Sequence, residues 1–138
     1  MKKTILVFAC VSILLYGFSS KNYSNKELAK AIHQVESGGR TGNNIIGDKG
    51  KAIGPLQIHF ENWKDATDFD KSIRGKYSDC HDLDYSYRIF NAYLNKYASG
   101  KSAEDRARIW NGGPKGAEKS ATKNYWKKVK ENLWFIFL

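Results

Sequence analysis

Residues 35–58 read VESGGRTGNNIIGDKGKAIGPLQI, and the change of texture inside this stretch decides the fold. Its start closes an apolar helical period, because Leu28, Ile32 and Val35 recur at i, i+4 and i+7. Ser37-Gly38-Gly39 then supplies a stop, since glycine enters the left-handed cap conformation without steric cost. Beyond it the apolar pairs Ile45-Ile46 and Ala52-Ile53 flank Gly47-Asp48-Lys49-Gly50, the pattern of a small two-stranded hairpin turning near Asp48 to Gly50. A helix that runs into a hairpin predicts an α+β chain, and the flanking sequence sets the proportion.

Upstream, Ser24 stands three residues before Glu27, a capping box, with Tyr23 placed to staple onto Leu28. Downstream, Leu56-Gln57-Ile58 alternates briefly, and Phe60 to Ala66 predicts a short helix carrying Trp63. Helical spacing recurs over Tyr87 to Tyr97. Ser102 opens another helix that Asn111-Gly112-Gly113-Pro114 must end, and Thr122 to Trp134 forms a last one with Trp126, Val129 and Leu133 on one side. No repeat or long linker divides the chain. The expected domain is mainly α with one small β-hairpin.

Composition bounds what such a domain can be. With 138 residues, 41% hydrophobic and 27% charged, the chain is neither a disordered polyelectrolyte nor low-complexity, and it has room for one packed domain. Met1 to Ser20 has a basic start (Lys2, Lys3), an apolar run from Ile5 to Tyr16, and Gly17 and Ser19 spaced as at a signal-peptidase site. The run is shorter than the roughly 20 residues a membrane span needs. We therefore expect a secretory signal at 1–20 and a domain at 21–138. Losing Lys2 and Lys3 but no acidic residue would take the net charge from +9 to +7. Export makes nucleic acid a poor partner and leaves an anionic wall or membrane surface as the natural target of that charge. It also removes Cys10, so Cys80 stands alone, without an internal disulfide, either as a buried thiol, the favoured reading, or in an intermolecular bridge.

Two carboxylates stand out chemically. Glu36 falls in the last turn of a helix, where the negative end of the helix dipole and any apolar burial disfavour its ionised form. Asp48 falls in a glycine- and amide-rich turn that favours the carboxylate. A protonated acid and an ionised carboxylate in contrasting surroundings are what glycoside hydrolysis uses. Charge and spacing alone fit a solvated helix-end glutamate and an ordinary turn aspartate at least as well.

Five strings change that balance. Val35-Glu36-Ser37-Gly38, Asp48-Lys49-Gly50, Gly54-Pro55-Leu56-Gln57-Ile58, Ala107-Arg108-Ile109-Trp110-Asn111-Gly112-Gly113-Pro114 and Thr122-Lys123-Asn124-Tyr125-Trp126-Lys127-Lys128-Val129 together resemble the invertebrate-type (destabilase-like) lysozymes. The resemblance implies a lysozyme-like fold, mainly α with a hairpin beside the cleft. It also implies a secreted muramidase that cleaves the β-1,4 bond between N-acetylmuramic acid and N-acetylglucosamine in peptidoglycan. By position, Glu36 matches the family's general acid and Asp48 its second carboxylate, with retention of configuration and no cofactor. Gln57, His59, Asn111 and Tyr125 are the candidates for lining the groove, as amide, hydroxyl and aromatic groups suited to sugars. The amides of Asn111 to Gly113 equally suit a helix cap, and Trp63, Trp110 and Trp126 suit the core better than a sugar platform.

The chain departs from the animal members in two ways. They are rich in disulfides, and they carry serines where Lys49, Lys51 and Ala52 stand and a histidine where Trp110 stands. The isopeptidase activity credited to some of them is therefore not expected. His33, His59, Cys80 and His81 are the residue types of a zinc site but lack its ligand spacing, so no metal is expected. The apolar tail from Leu133 to Leu138 is expected to pack on the domain, with contact to a membrane as the alternative. A lytic transglycosylase using Glu36 alone, and a non-catalytic cationic wall- or membrane-binding protein, are the alternatives that the sequence leaves open.

Overall fold

The structure is a computed structural model that describes residues 22–135. The expected signal segment at 1–20 and the last residues of the apolar tail lie outside the described residues. Among those described are five α-helices and a three-stranded antiparallel sheet.

Helix α1 spans Asn25–Ser37 and begins at the expected capping box. The Glu27 amide donates to Ser24 Oγ at 3.2 Å, and the Ser24 amide donates to Glu27 Oε2 at 2.7 Å. Leu28, Ala31 and Ile32 are fully buried, so the apolar stripe faces the core. Gly38 closes the helix at φ 64°, donating to the Gln34 carbonyl while Gly39 donates to that of His33.

Strands β1 (Ile46–Gly47) and β2 (Ala52–Ile53) make the expected hairpin, with a 3-10 turn at Asp48–Gly50 between them. A third strand, β3 (Ile58–His59), pairs with β2 and enlarges the predicted hairpin. A second tight turn folds it back, with the Gln57 amide donating to the Gly54 carbonyl at 3.0 Å. The register puts Ile46, Ile53 and Ile58 on one face and Gly47, Ala52 and His59 on the other. Ile53 and Ile58 enter the core, so the second face is left for the cleft.

Helix α2 spans Phe60–Phe69, a turn longer than expected, and a 3-10 segment at Tyr77–His81 was not anticipated. Helix α3, Leu83–Tyr97, starts four residues before the predicted Tyr87 because Asp82 caps it, accepting from the Tyr85 amide at 2.8 Å. Its early turn hides a polar residue: buried Ser86 donates to the Cys80 carbonyl at 2.7 Å. Helix α4 is Ala103–Gly112, with Ser102 as cap, and helix α5 is Lys123–Phe135.

Helix α3 gives the core Ile89, Phe90, Tyr93 and Leu94, against which α1, α4 and α5 place Ile32, Ile109 and Leu133. Each such side chain contributes about 1.5–3 kcal/mol when fully buried, and no disulfide among the described residues adds to that. Cys80 is a buried free thiol, pushed up to about 12 by burial and by nearby Asp79, and so is inert at neutral pH. At the tail Leu133 packs inward as expected, whereas Trp134 is 66% exposed and does not.

Candidate active site

A cleft of about 540 Å³ opens between the sheet, the end of α1, the start of α2 and the end of α4. Its walls bring together Glu36, Asp48, Gln57, His59 and Asn111, five of the six residues singled out from sequence. They converge because three chain punctuations meet there: the glycine stop after α1, the Asp48–Gly50 turn, and the Asn111-Gly112-Gly113 end of α4.

Glu36 is half-buried in the last turn of α1. Burial pushes its carboxyl above the usual glutamate range, opposed in part by a hydrogen bond from Tyr125. The Tyr125 hydroxyl donates to Glu36 Oε1 at 2.7 Å. The same burial, together with the adjacent carboxylate, holds the phenol well above its ordinary value, so it stays a neutral donor. Tyr125, the sixth of those residues, is not among the residues that line this cleft and touches Glu36 instead. It stands behind Glu36, reaching it from α5.

Asp48 differs in every respect. It is exposed, sits at φ 47° in the left-handed region, and approaches His59 with Oδ2 3.5 Å from Nε2. Lys49 and Gln57 share that backbone region, at φ 55° and 48°. Non-glycine residues held there cost about 1–2 kcal/mol each, and such strain concentrates at functional sites. Gln57 donates Nε2 to the Gly54 carbonyl at 3.0 Å. Its Oε1 lies against Gly47, where an added Cβ would come within 1.9 Å, so a larger residue there would require the Gln57 side chain to move.

Three cleft residues, Ala52, Glu61 and Asn62, escape the sequence reading, and Trp110 has two roles. Ala52 faces the cleft because it pairs with His59 across β2 and β3. Glu61 and Asn62 follow His59 into the first turn of α2, where polar residues look like an ordinary solvated helix start. Trp110 is a core residue, 4% exposed and packed edge-on to Phe90 and Tyr93 with centroids 4.9 and 5.5 Å away, and its rim also reaches the cleft. Three carboxylates and no Lys or Arg line the cleft, so the chain's positive charge lies elsewhere on its surface.

The side chains considered for zinc are dispersed. His33 Nε2 lies 2.7 Å from the Arg40 carbonyl, His59 is beside Asp48, and Cys80 and His81 belong to the 3-10 segment. No group of three metal-ligating side chains forms among the described residues.

The wall formed by Asn111 and Gly113 is fixed from beneath. Buried Arg108 donates from Nε to Thr122 Oγ1 at 2.9 Å, and to Glu104 Oε1 and the Lys119 carbonyl at 3.1 Å each. Thr122 Oγ1 in turn lies 2.7 Å from the Gly116 carbonyl. This network ties the loop after α4 to the start of α5, three residues before Tyr125.

No family model matches the chain. It is 31% identical over 119 residues to lysozyme 1 of Crassostrea virginica, covering 83% of this chain and 62% of that protein. It is 35% identical over 90 residues to invertebrate-type lysozyme 6 of Caenorhabditis elegans, covering 57% and 65%. The chain thus spans less than two thirds of the length of either relative. Among solved structures, it is similar to Tapes japonica lysozyme with a TM-score of 0.66 at 25% identity, over 80% of this chain and 93% of that one. It is also similar to Meretrix lusoria lysozyme, solved in complex with Aeromonas hydrophila PliI, with a TM-score of 0.65 at 26% identity, over 77% and 88%.

Proposed function

We propose that the chain is a member of the invertebrate-type lysozymes it resembles and a muramidase, hydrolysing the β-1,4 bond between N-acetylmuramic acid and N-acetylglucosamine in peptidoglycan. The observation that carries the reading is the contrast within one cleft between half-buried Glu36, its carboxyl pushed up by burial, and exposed Asp48 on the sheet turn. The first is suited to hold a proton near neutrality. The second is suited to face developing positive charge.

In the proposed mechanism Glu36 donates its proton to the glycosidic oxygen as the bond to the anomeric carbon breaks. Asp48 attacks or stabilises the oxocarbenium-like centre, and ionised Glu36 then takes a proton from the water that completes a retaining hydrolysis. Gln57, Asn62 and Asn111 offer amides to sugar hydroxyls and acetamides, and the rim of Trp110 offers an apolar edge. No step draws on a metal or cofactor. Export through the 1–20 segment would bring the protein to the wall, and its +7 charge would draw it to that anionic surface with an attraction that weakens as salt rises.

Mass analysis of peptidoglycan digested with the purified protein tests this reading. Fragments with reducing ends are expected. Fragments with 1,6-anhydro ends would make the protein a lytic transglycosylase, and binding without release of any fragment would make it a non-catalytic cationic wall protein.

A further inference from the structure

Tyr125 offers the chemistry of a sugar-binding residue, yet it does not line the cleft. Its ring packs at the edge of the hydrophobic core, and its hydroxyl has one hydrogen-bond partner among the described residues, Glu36 Oε1 at 2.7 Å. The two residues are 89 positions apart in the chain, so the contact exists only because α5 packs on α1. The start of α5 is itself anchored through the Arg108–Thr122 network.

The geometry points to Tyr125 as a positioning residue that selects which oxygen of Glu36 carries the catalytic proton. Oε1 is occupied by the phenol. Oε2 has no hydrogen-bond partner among the described residues, yet is not sealed from the cleft that Glu36 lines. If the carboxyl proton sat on Oε1, that oxygen would become a hydroxyl, a far weaker acceptor than a carbonyl, and the part-buried phenol would lose most of its one hydrogen bond. A buried donor without an acceptor is costly. The proton therefore resides on Oε2, toward the substrate, while Tyr125 continues to donate to Oε1 in both charge states. On ionisation that bond stabilises the carboxylate left behind.

The inference rests on the muramidase reading for its catalytic meaning, but the coupling itself does not. The other ionisable groups facing Glu36 across the cleft are Asp48 and His59 from the sheet and Glu61 from α2; α4 presents Trp110 and Asn111, which do not titrate. None of these is altered by Tyr125→Phe.

The test follows the Glu36 carboxyl by carbon NMR in glutamate-labelled protein, its resonance assigned by its disappearance in Glu36→Gln. In Tyr125→Phe the Glu36 titration is expected to move to higher pH, because the carboxylate loses a donor. In parallel, the alkaline limb of the pH dependence of kcat/KM moves upward, with kcat reduced and KM unchanged. Placing 3-fluorotyrosine at position 125 keeps the fold and makes the hydroxyl a stronger donor, so the titration moves the opposite way. A Glu36 titration unmoved by either change would overturn the inference, as would a rise in KM alone, which would put Tyr125 on the substrate. A titration that moves as expected in a protein that hydrolyses no peptidoglycan would uphold the coupling and remove the muramidase reading instead.

Discussion

Asp48 Oδ2 lies 3.5 Å from His59 Nε2 at the mouth of the cleft, the turn after β1 meeting the end of β3. With side chains 57% and 45% exposed, this pair contributes under about 1 kcal/mol to stability. Its meaning is positional, since the imidazole limits where a carboxylate on a strained turn can point.

His59→Ala is therefore expected to change unfolding free energy by under about 1 kcal/mol while lowering kcat/KM. Asp48→Asn is expected to cost more, about 10²–10³ in kcat, the size of one lost electrostatic stabiliser at a reacting centre. Urea unfolding beside steady-state kinetics checks both. Unchanged turnover in Asp48→Asn would rule out a two-carboxylate mechanism.

Burial of Glu36 also links stability to pH. A carboxyl whose folded value is raised binds its proton more tightly in the native state than in the unfolded chain. As pH rises from the ordinary glutamate range through the raised folded value, the native state loses stability relative to a variant without the charge. Glu36→Gln is accordingly expected to match the wild type in acid and to be the more stable protein at neutral pH. Thermal unfolding of both across pH 3 to 8 measures the divergence, and parallel curves would mean that Glu36 is not desolvated.

The Arg108–Thr122 contact is buried, with Arg108 8% and Thr122 2% exposed. Thr122→Val keeps the shape and leaves the Arg108 Nε without its acceptor, which is expected to cost about 2–3 kcal/mol. Because the same network seats the Asn111 wall and the start of α5, activity should fall at temperatures where the variant is still folded. Activity and far-ultraviolet circular dichroism recorded on the same samples separate the two effects.

Asp65 accepts from Lys96 Nζ and from the Tyr97 hydroxyl, each at 2.8 Å, tying α2 to α3. The Lys96 hydrogen bond holds its carboxyl below the usual aspartate range, with Tyr97 adding to this against partial desolvation. A lowered folded value gives stability that is present above the ordinary aspartate range and lost as pH falls through the folded one. Asp65 is 38% exposed, so solvent screening keeps the loss in Asp65→Ala to about 1 kcal/mol at neutral pH, vanishing in acid. A cost independent of pH would show that the tie is packing and not charge.

The parts of this molecule that sequence made legible are those written in local pattern. Ser24 and Glu27 announce the start of α1, Gly38 its end, and the Gly47-to-Gly50 turn the placement of Asp48. Strand β3 is hinted at only by the brief alternation of Leu56-Gln57-Ile58, and its pairing with β2 is a tertiary fact that so short a run does not specify. The start of α3 was masked by Ser86, a polar residue buried only because the Cys80 carbonyl awaits it. Tyr125 is legible in the sequence as a candidate, but its partner is not. Its contact with Glu36 depends on how α5 docks on α1, and no spacing along the chain carries that information. Trp110 belongs to both core and cleft, since a large ring can fill one and edge the other.

The most direct measurement is the rate at which reducing ends appear in purified peptidoglycan incubated with wild type and with Glu36→Gln, with binding to the same material measured by co-sedimentation. The isosteric variant is expected to bind as well as the wild type and to release reducing ends at least about 10²-fold more slowly, the loss of a positioned general acid. Release at the wild-type rate by Glu36→Gln would contradict Glu36 as the proton donor, and with it the assignment of the cleft as the site of hydrolysis.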